Sequence, residues 1–147
     1  MDKDVLISIS GLQFSEGEGP DKVETINAGQ YYKKGDHHYV LFDEVMEGHD
    51  KPTRNMIKFA DGLCSVNKKG VINVNMLFEE NKRNLTNYAT PFGSIMIGID
   101  TKNVSLDQTE DEIDLLVDYA LEANYEHLAN CKLKIAIRNR SQGMPLS

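Results

Sequence analysis

The side chains with chemical reach in this chain are four histidines, many carboxylates and a scatter of lysines, arginines and tyrosines. His37 and His38 are adjacent. Neighbours on a strand point to opposite faces, so these two cannot ligate one metal side by side. His49 and His127 fall among turn residues, and no His-x-x-x-His or Cys-His spacing occurs. All four are expected to be solvated side chains near hairpin ends. Asp43-Glu44, with Glu47, offers carboxylates for acid–base work. That chemistry needs surroundings that push the two pKa values apart, and adjacent strand positions face opposite ways. A charged strand end is the plainer expectation. Asp107, Glu110, Asp111, Glu112 and Asp114 form an acidic cluster. A calcium loop wants Gly at its sixth position, where this chain has Glu112, so a solvated acidic turn is expected.

Nucleophile signals are thin. There is no Gly-x-Ser-x-Gly elbow. Gly17-Glu18-Gly19-Pro20 lacks the further Gly and the Lys of a phosphate loop and reads as a hairpin turn. Cys64 and Cys131 stand alone, without a Cys-x-x-Cys pair, and are expected as buried small hydrophobes rather than a disulfide. No metal or cofactor is called for. An enzyme, perhaps of hydrolase type, is the least favoured function.

Composition narrows the partners. A net charge of −7 and a pI near 5.0 give no electrostatic footprint for nucleic acid or anionic lipid. No apolar run reaches the length of a membrane span. The first residues have neither the basic nor the apolar region of a signal peptide, so a cytoplasmic, reducing location is expected. The Asn-x-Ser/Thr sites at Asn84, Asn103 and Asn139 then carry no meaning.

The elements that must position these groups are short and evenly punctuated. Lys33-Lys34-Gly35-Asp36, Gly48-His49-Asp50-Lys51-Pro52, Asp61-Gly62, Lys68-Lys69-Gly70, Glu80-Asn81-Lys82 and Thr90-Pro91-Phe92-Gly93 are turn clusters. Asp61-Gly62 suits a two-residue hairpin. Between the turns, apolar residues alternate: Val5, Ile7, Ile9; Val40, Phe42; Val74, Met76, Phe78; Ile95, Ile97, Ile99. A period of two marks half-buried antiparallel strands, and many of them at short spacing imply a sandwich or barrel. Gly98, between two isoleucines, is expected to mark a kink or bulge. Residues 109–123 are ambiguous. Thr109-Glu110-Asp111-Glu112 is a capping-box pattern, and Ile113, Leu116, Val117, Ala120 and Leu121 recur at helical spacing. Ile113, Leu115, Val117, Tyr119 and Leu121 fit a strand equally well. Pattern alone leans to helix.

Read together, Tyr39, Asp43-Glu44, Tyr88-Ala89-Thr90-Pro91-Phe92-Gly93, Thr101 and Val117-Asp118-Tyr119-Ala120-Leu121 make the chain resemble the YwiB-like family of uncharacterised bacterial proteins. The resemblance covers nearly the whole chain. Its most specific element is the Thr90, Pro91, aromatic, Gly93 turn, followed by an alternating strand and Thr101. It implies an all-β fold, a single antiparallel calycin (lipocalin-like) β-barrel of about ten strands over residues 1–140, with 141–147 a frayed tail. It also implies that 112–121 and 128–137 are strands, paired through a turn near Asn124-Tyr125. One departure stands out: where the family would have an Arg before the Gly of the fifth turn, this chain has Lys68-Lys69-Gly70. Any role of that Arg is not carried over.

A barrel of this size can hold a small ligand or fill itself with side chains. Both stay open on sequence. Phe78, Met76 and Ile97 are expected in the lining, with Arg83, Tyr88 and Tyr119 as its polar handles; a buried Tyr needs a partner for its hydroxyl, and an Arg can clasp a carboxylate. The 83–88 strand is polar on both faces, which suits a wet cavity or a sheet edge. The leading expectation for function is non-enzymatic binding of a small, partly apolar molecule in or at the mouth of the barrel. The alternative is a protein-interaction module with a filled core, often a homodimer.

Overall fold

Alternating apolar residues set the staves of the barrel. In a computed structural model that describes residues 1–11, 24–45 and 48–142, the strands are β1 (Asp4–Ser10), β2 (Glu24–Lys34), β3 (His37–Glu44), β4 (Thr53–Ala60), β5 (Leu63–Lys69), β6 (Val74–Glu79), β7 (Lys82–Thr90), β8 (Gly93–Gln108), β9 (Glu112–Ala123) and β10 (Glu126–Asn139). A 3-10 turn, Arg140–Gln142, follows. The expected turn at 17–20 and the end of the expected tail lie outside the described residues.

Among the described residues the strands form one antiparallel sheet in the order β6-β5-β4-β3-β2-β1-β10-β9-β8-β7. Consecutive strands pair except β6 and β7, and β1 pairs with β10, which joins the two halves of the sheet. The fold is the expected all-β barrel of ten strands, nearly closed. Its seam lies between β6 and β7. The turn joining them spends Glu80 N on Gly62 O and Asn81 N on Thr101 O (3.0 and 2.9 Å), so it does not start a β6–β7 ladder. One bridge, Asn73 to Ala89, crosses the seam, together with a bond from Asn84 Nδ2 to Leu77 O at 3.3 Å. The polar β7 is therefore a sheet edge.

The ambiguous segment is strand. Thr109-Glu110-Asp111-Glu112 makes the β8–β9 turn, closed by Thr109 N donating to Glu112 O at 2.8 Å. Ile113, Leu115, Val117, Tyr119 and Leu121 are all buried, as period two requires, and Leu116 is not. The next turn falls at Asn124 and Tyr125, which both take the positive φ of a tight hairpin (50° and 69°).

Three details differ from expectation. Ile95 is 37% exposed, although Ile97 and Ile99 are buried. β8 overhangs β9, whose last residue, Ala123, pairs with Ile97, so Ile95 has only Tyr88 of β7 opposite it. Gly98 is not a bulge. It pairs regularly with Leu85 and Glu122, and a Cβ there would sit 2.7 Å from Glu122 Oε2. The register shift on β8 comes later, between Thr101 and Asn103.

The inward positions stack in layers. His38, Phe59, Cys64 and Phe78 are register partners across β3 to β6; Val40, Ile57, Val66 and Met76 form the next layer. Ile7, Ile57, Phe59, Phe78, Val117 and Leu133 are each 0% exposed. A void wide enough for water would give its lining accessible surface, so the waist of the barrel around these side chains is filled.

Candidate functional site

One layer above Val40, Ile57 and Val66 the inward residues become polar. Phe42, Asn55, Lys68 and Val74 are register partners, and Glu44 pairs with Thr53 one step further toward the mouth. Strand parity aims Glu44, Thr53, Asn55 and Lys68 inward. Thr53 and Asn55 are fully buried, and the side chains of Lys68 and Glu44 are 9% and 14% exposed.

These residues form one network. Lys68 Nζ donates to Glu44 Oε1 at 2.9 Å. Asn55 Nδ2 donates to the same oxygen at 3.3 Å and to Thr53 O at 3.2 Å. Thr53 Oγ1 accepts from Val71 N at 3.1 Å. The chain after β5 folds back onto β4: a Cβ at Gly70 (φ 152°) would lie 2.7 Å from Thr53 Cα, so only glycine fits. Asn73 then holds Gly70 O (2.9 Å) and bridges to Ala89, next to Tyr88. Tyr88 is half-buried on the inward face of β7; burial, and after it the Glu44 charge, push its phenol above the ordinary value. Asn55 Oδ1 is buried and receives no hydrogen bond. A cationic donor, a carboxylate, an amide and a phenol thus meet at one end of the barrel.

The residues anticipated as a lining do not form one site. Tyr88 belongs to this mouth. Met76 sits in the filled waist, and Ile97 is buried on β8. Phe78 and Tyr119 meet edge to face at 4.9 Å in the opposite layer. The Tyr119 hydroxyl donates to Gly11 O at 2.9 Å, and burial raises its pKa. Arg83 does not face the interior. It lies opposite Asp100 on the outer face, where it pairs with Glu122 across Gly98. The hydrogen bond from Arg83 is the main reason the Glu122 carboxyl is held below its usual range. Parity decides this: Asn84, Thr86 and Tyr88 take the inward positions of β7. Thr90 Oγ1 accepts from Phe92 N (3.2 Å) and donates to Gly93 O (2.9 Å), which pins the Pro91 turn. Thr101 is buried with its hydroxyl unbonded.

Other expectations sort as follows. His38 is not solvated: it is buried, stacked on Phe59 at 4.8 Å, with Nδ1 2.7 Å from the Tyr31 hydroxyl. Its partner on the outer face, His37, is half-exposed. Cys64 and Cys131 are buried and form no disulfide, and burial pushes the Cys64 thiol up to about 12. Asp43 faces outward to Arg54 at 3.4 Å, away from Glu44. Asp114 and Glu112 pair with Arg138. Sequence reasoning passed over Lys68, Thr53 and Asn55. The one available signal was a lysine, a threonine and an asparagine on inward-parity positions of strands whose other inward residues are apolar.

No curated protein matches this chain. Among solved structures it is similar to the ywiB protein from Bacillus subtilis, with 18% identity over 93% of this chain and 92% of that one and a TM-score of 0.74. At that identity the likeness speaks for the fold. Residues 7–135 match the family described as Domain of unknown function (DUF1934), and the chain belongs to that family.

Proposed function

We propose that this DUF1934 barrel is a non-enzymatic binding protein that holds a small, partly apolar molecule at its mouth, on Lys68, Glu44, Asn55 and Tyr88. The carrying observation is the largely buried Lys68–Glu44 pair at the end of a filled apolar barrel. Desolvating two charges costs about as much as their attraction returns, so such a pair is weak evidence for stability and better evidence for a task. The filled waist moves the ligand from the interior, where Met76 and Phe78 already pack, to the mouth. A two-carboxylate acid–base site would need a second carboxyl beside Glu44; Asp43 points the other way, and Glu47 lies outside the described residues. The two buried thiols support a reducing, cytoplasmic setting.

The test is native mass spectrometry of the purified chain, then denaturing extraction and small-molecule analysis. A stoichiometric compound present with wild type and absent with Lys68→Met is the expected result. A compound retained unchanged by Lys68→Met places the ligand elsewhere. A clean apo mass counts against ligand binding and toward the second reading.

That second reading is a homodimer. Exposed apolar side chains lie where the β7–β8 hairpin meets the β9–β10 turn: Leu85, Phe92, Met96 and Tyr125, with Asn124 N donating to Met96 O at 2.9 Å. Such patches mark association surfaces. A mass of twice the chain that falls to the monomer in Phe92→Asp/Met96→Asp supports it; a monomer at all concentrations rules it out.

A further inference from the structure

We propose that the head group bound at the mouth is neutral and amide-like, a hydrogen-bond donor beside an acceptor; this rests on the mouth being the ligand site. Lys68 Nζ and Glu44 Oε1 stand 2.9 Å apart. A ligand cation would meet Lys68, and a ligand anion Glu44, at close range and with little water to screen them. A neutral group meets neither charge unfavourably. The unused valences of the pair suit it. An ammonium has three N–H donors and a carboxylate about four lone-pair sites. The pair's hydrogen bonds use one Lys68 donor and load both Lys68 and Asn55 onto the same carboxylate oxygen, Oε1. A ligand acceptor takes a second Lys68 N–H, and a ligand donor takes the carboxylate.

Asn55 supplies an independent sign. Its Nδ2 faces two acceptors, Glu44 Oε1 and Thr53 O, so the flipped amide would set oxygen against oxygen. The remaining atom, Oδ1, is buried without a donor. Lys68 is the direct cross-strand partner of Asn55, on the same inward face. One of the spare Lys68 protons can serve Asn55 Oδ1 once a ligand donor at Glu44 lets the ammonium shift toward its cross-strand partner. Asn55 Oδ1 thus has an unmade hydrogen bond that binding completes. Tyr88, half-buried beside Glu44, offers its ring to the apolar part of the ligand. Primary amides, lactams and imides share the required edge.

The experiment is an NMR titration of the full chain with four probes of matched size: butyramide, N,N-dimethylbutyramide, butyrate and butylammonium. Butyramide is expected to shift the Asn55 side-chain amide and the Glu44 and Lys68 backbone amides saturably. Its Kd should lie at least about tenfold below the other three, the worth of one charge-assisted hydrogen bond. Glu44→Gln leaves Lys68 without its counter-charge and should switch the preference to butyrate, an effect that a purely structural role would not produce. If butyrate or butylammonium shifts these residues of the wild type as strongly, the amide class is wrong and the mouth stands. If no probe shifts them up to its solubility, both the class and the mouth reading fall.

Discussion

On β9 and β10 the inward positions Leu115, Val117, Leu133, Ile135 and Ile137 are at most 2% exposed and wholly apolar. On β3, β4 and β5 the inward positions nearest the mouth are Glu44, Thr53, Asn55 and Lys68, with Thr53 and Asn55 at 0%. Both regions are largely buried, the second less completely at Lys68 and Glu44, and both follow the same period of two. The difference lies in what burial does for each. Burying a leucine or isoleucine is favourable by about 1.5–3 kcal/mol. Burying an ammonium and a carboxylate returns little net stability even when they are paired, and an unmade bond such as that of Asn55 Oδ1 costs about 1–3 kcal/mol. One wall holds the barrel together; the other spends part of that stability on a polar network.

Large-to-small changes measure apolar burial, at Phe59 in the filled waist and at Leu133 on the first wall. Phe59→Ala should lose about 3–5 kcal/mol and Leu133→Ala about 2–5 kcal/mol by denaturant unfolding, the transfer loss plus an uncollapsed cavity. Lys68→Met should cost less, about 2 kcal/mol, below the about 3–5 kcal/mol of a fully buried broken pair, because the mouth admits some solvent. The double change Lys68→Met/Glu44→Leu should recover most of that loss, since it removes the stranded carboxylate with its partner. Recovery to wild-type stability or above would mark the network as dispensable for folding. A single Lys68→Met change without cost would mean that the pair is solvated, and the contrast between the two walls would collapse.

The apolar faces of β1 and β6 were legible in the sequence; β9, half of the first wall, and the whole second wall were not. Val5, Ile7, Ile9, Val74, Met76 and Phe78 announced their face by alternation alone, because hydrophobic burial is non-directional and any strand with that pattern buries it. For Ile113 to Leu121 the helical and strand periods tied, and local capping at Thr109 pointed to helix. Pairing with β8 and β10 on both sides decided it, a tertiary term that no window contains. Lys68 and Asn55 looked like turn-proximal polar residues. Their role depends on register between three strands and on Glu44 reaching across from β3, which parity alone does not give. Arg83 failed for the same reason in reverse: the right residue type stood one position out of phase, and a one-residue step moves a side chain to the other face.

A smaller effect tests the apolar end of the same strands. Burial, and after it the Lys33 charge, hold the His38 imidazole below its ordinary 6.5, against an opposing pull from Asp61. The unfolded chain therefore binds a proton more readily than the folded one. Stability from neutral His38 is fully present above about pH 6.5 and is lost as pH falls from there toward the folded value. Unfolding free energies of wild type and His38→Gln, taken across pH 5 to 8, should diverge in that direction, the wild type falling more steeply below about pH 6.5. Parallel curves would mean that His38 protonates freely and that the layer of Phe59 and Tyr31 is wetter than its burial implies.

The smallest stability effect belongs to the β7–β8 turn, which stands outside both walls. Phe92 is 99% exposed, so Phe92→Ser removes almost no buried area and should leave the unfolding free energy of a dilute sample within about 0.5 kcal/mol of wild type. Thr90 is different although it is only two residues away: its hydroxyl both accepts from Phe92 N and donates to Gly93 O, so Thr90→Val removes two turn bonds at an exposed site. About 1 kcal/mol is expected from that change, in the range of a lost side-chain cap on backbone groups. The order of the two effects carries the point. If Phe92→Ser were the more damaging of the two, or if its cost grew with protein concentration, the phenylalanine would be buried in solution against a second copy, and the tip would belong to an interface.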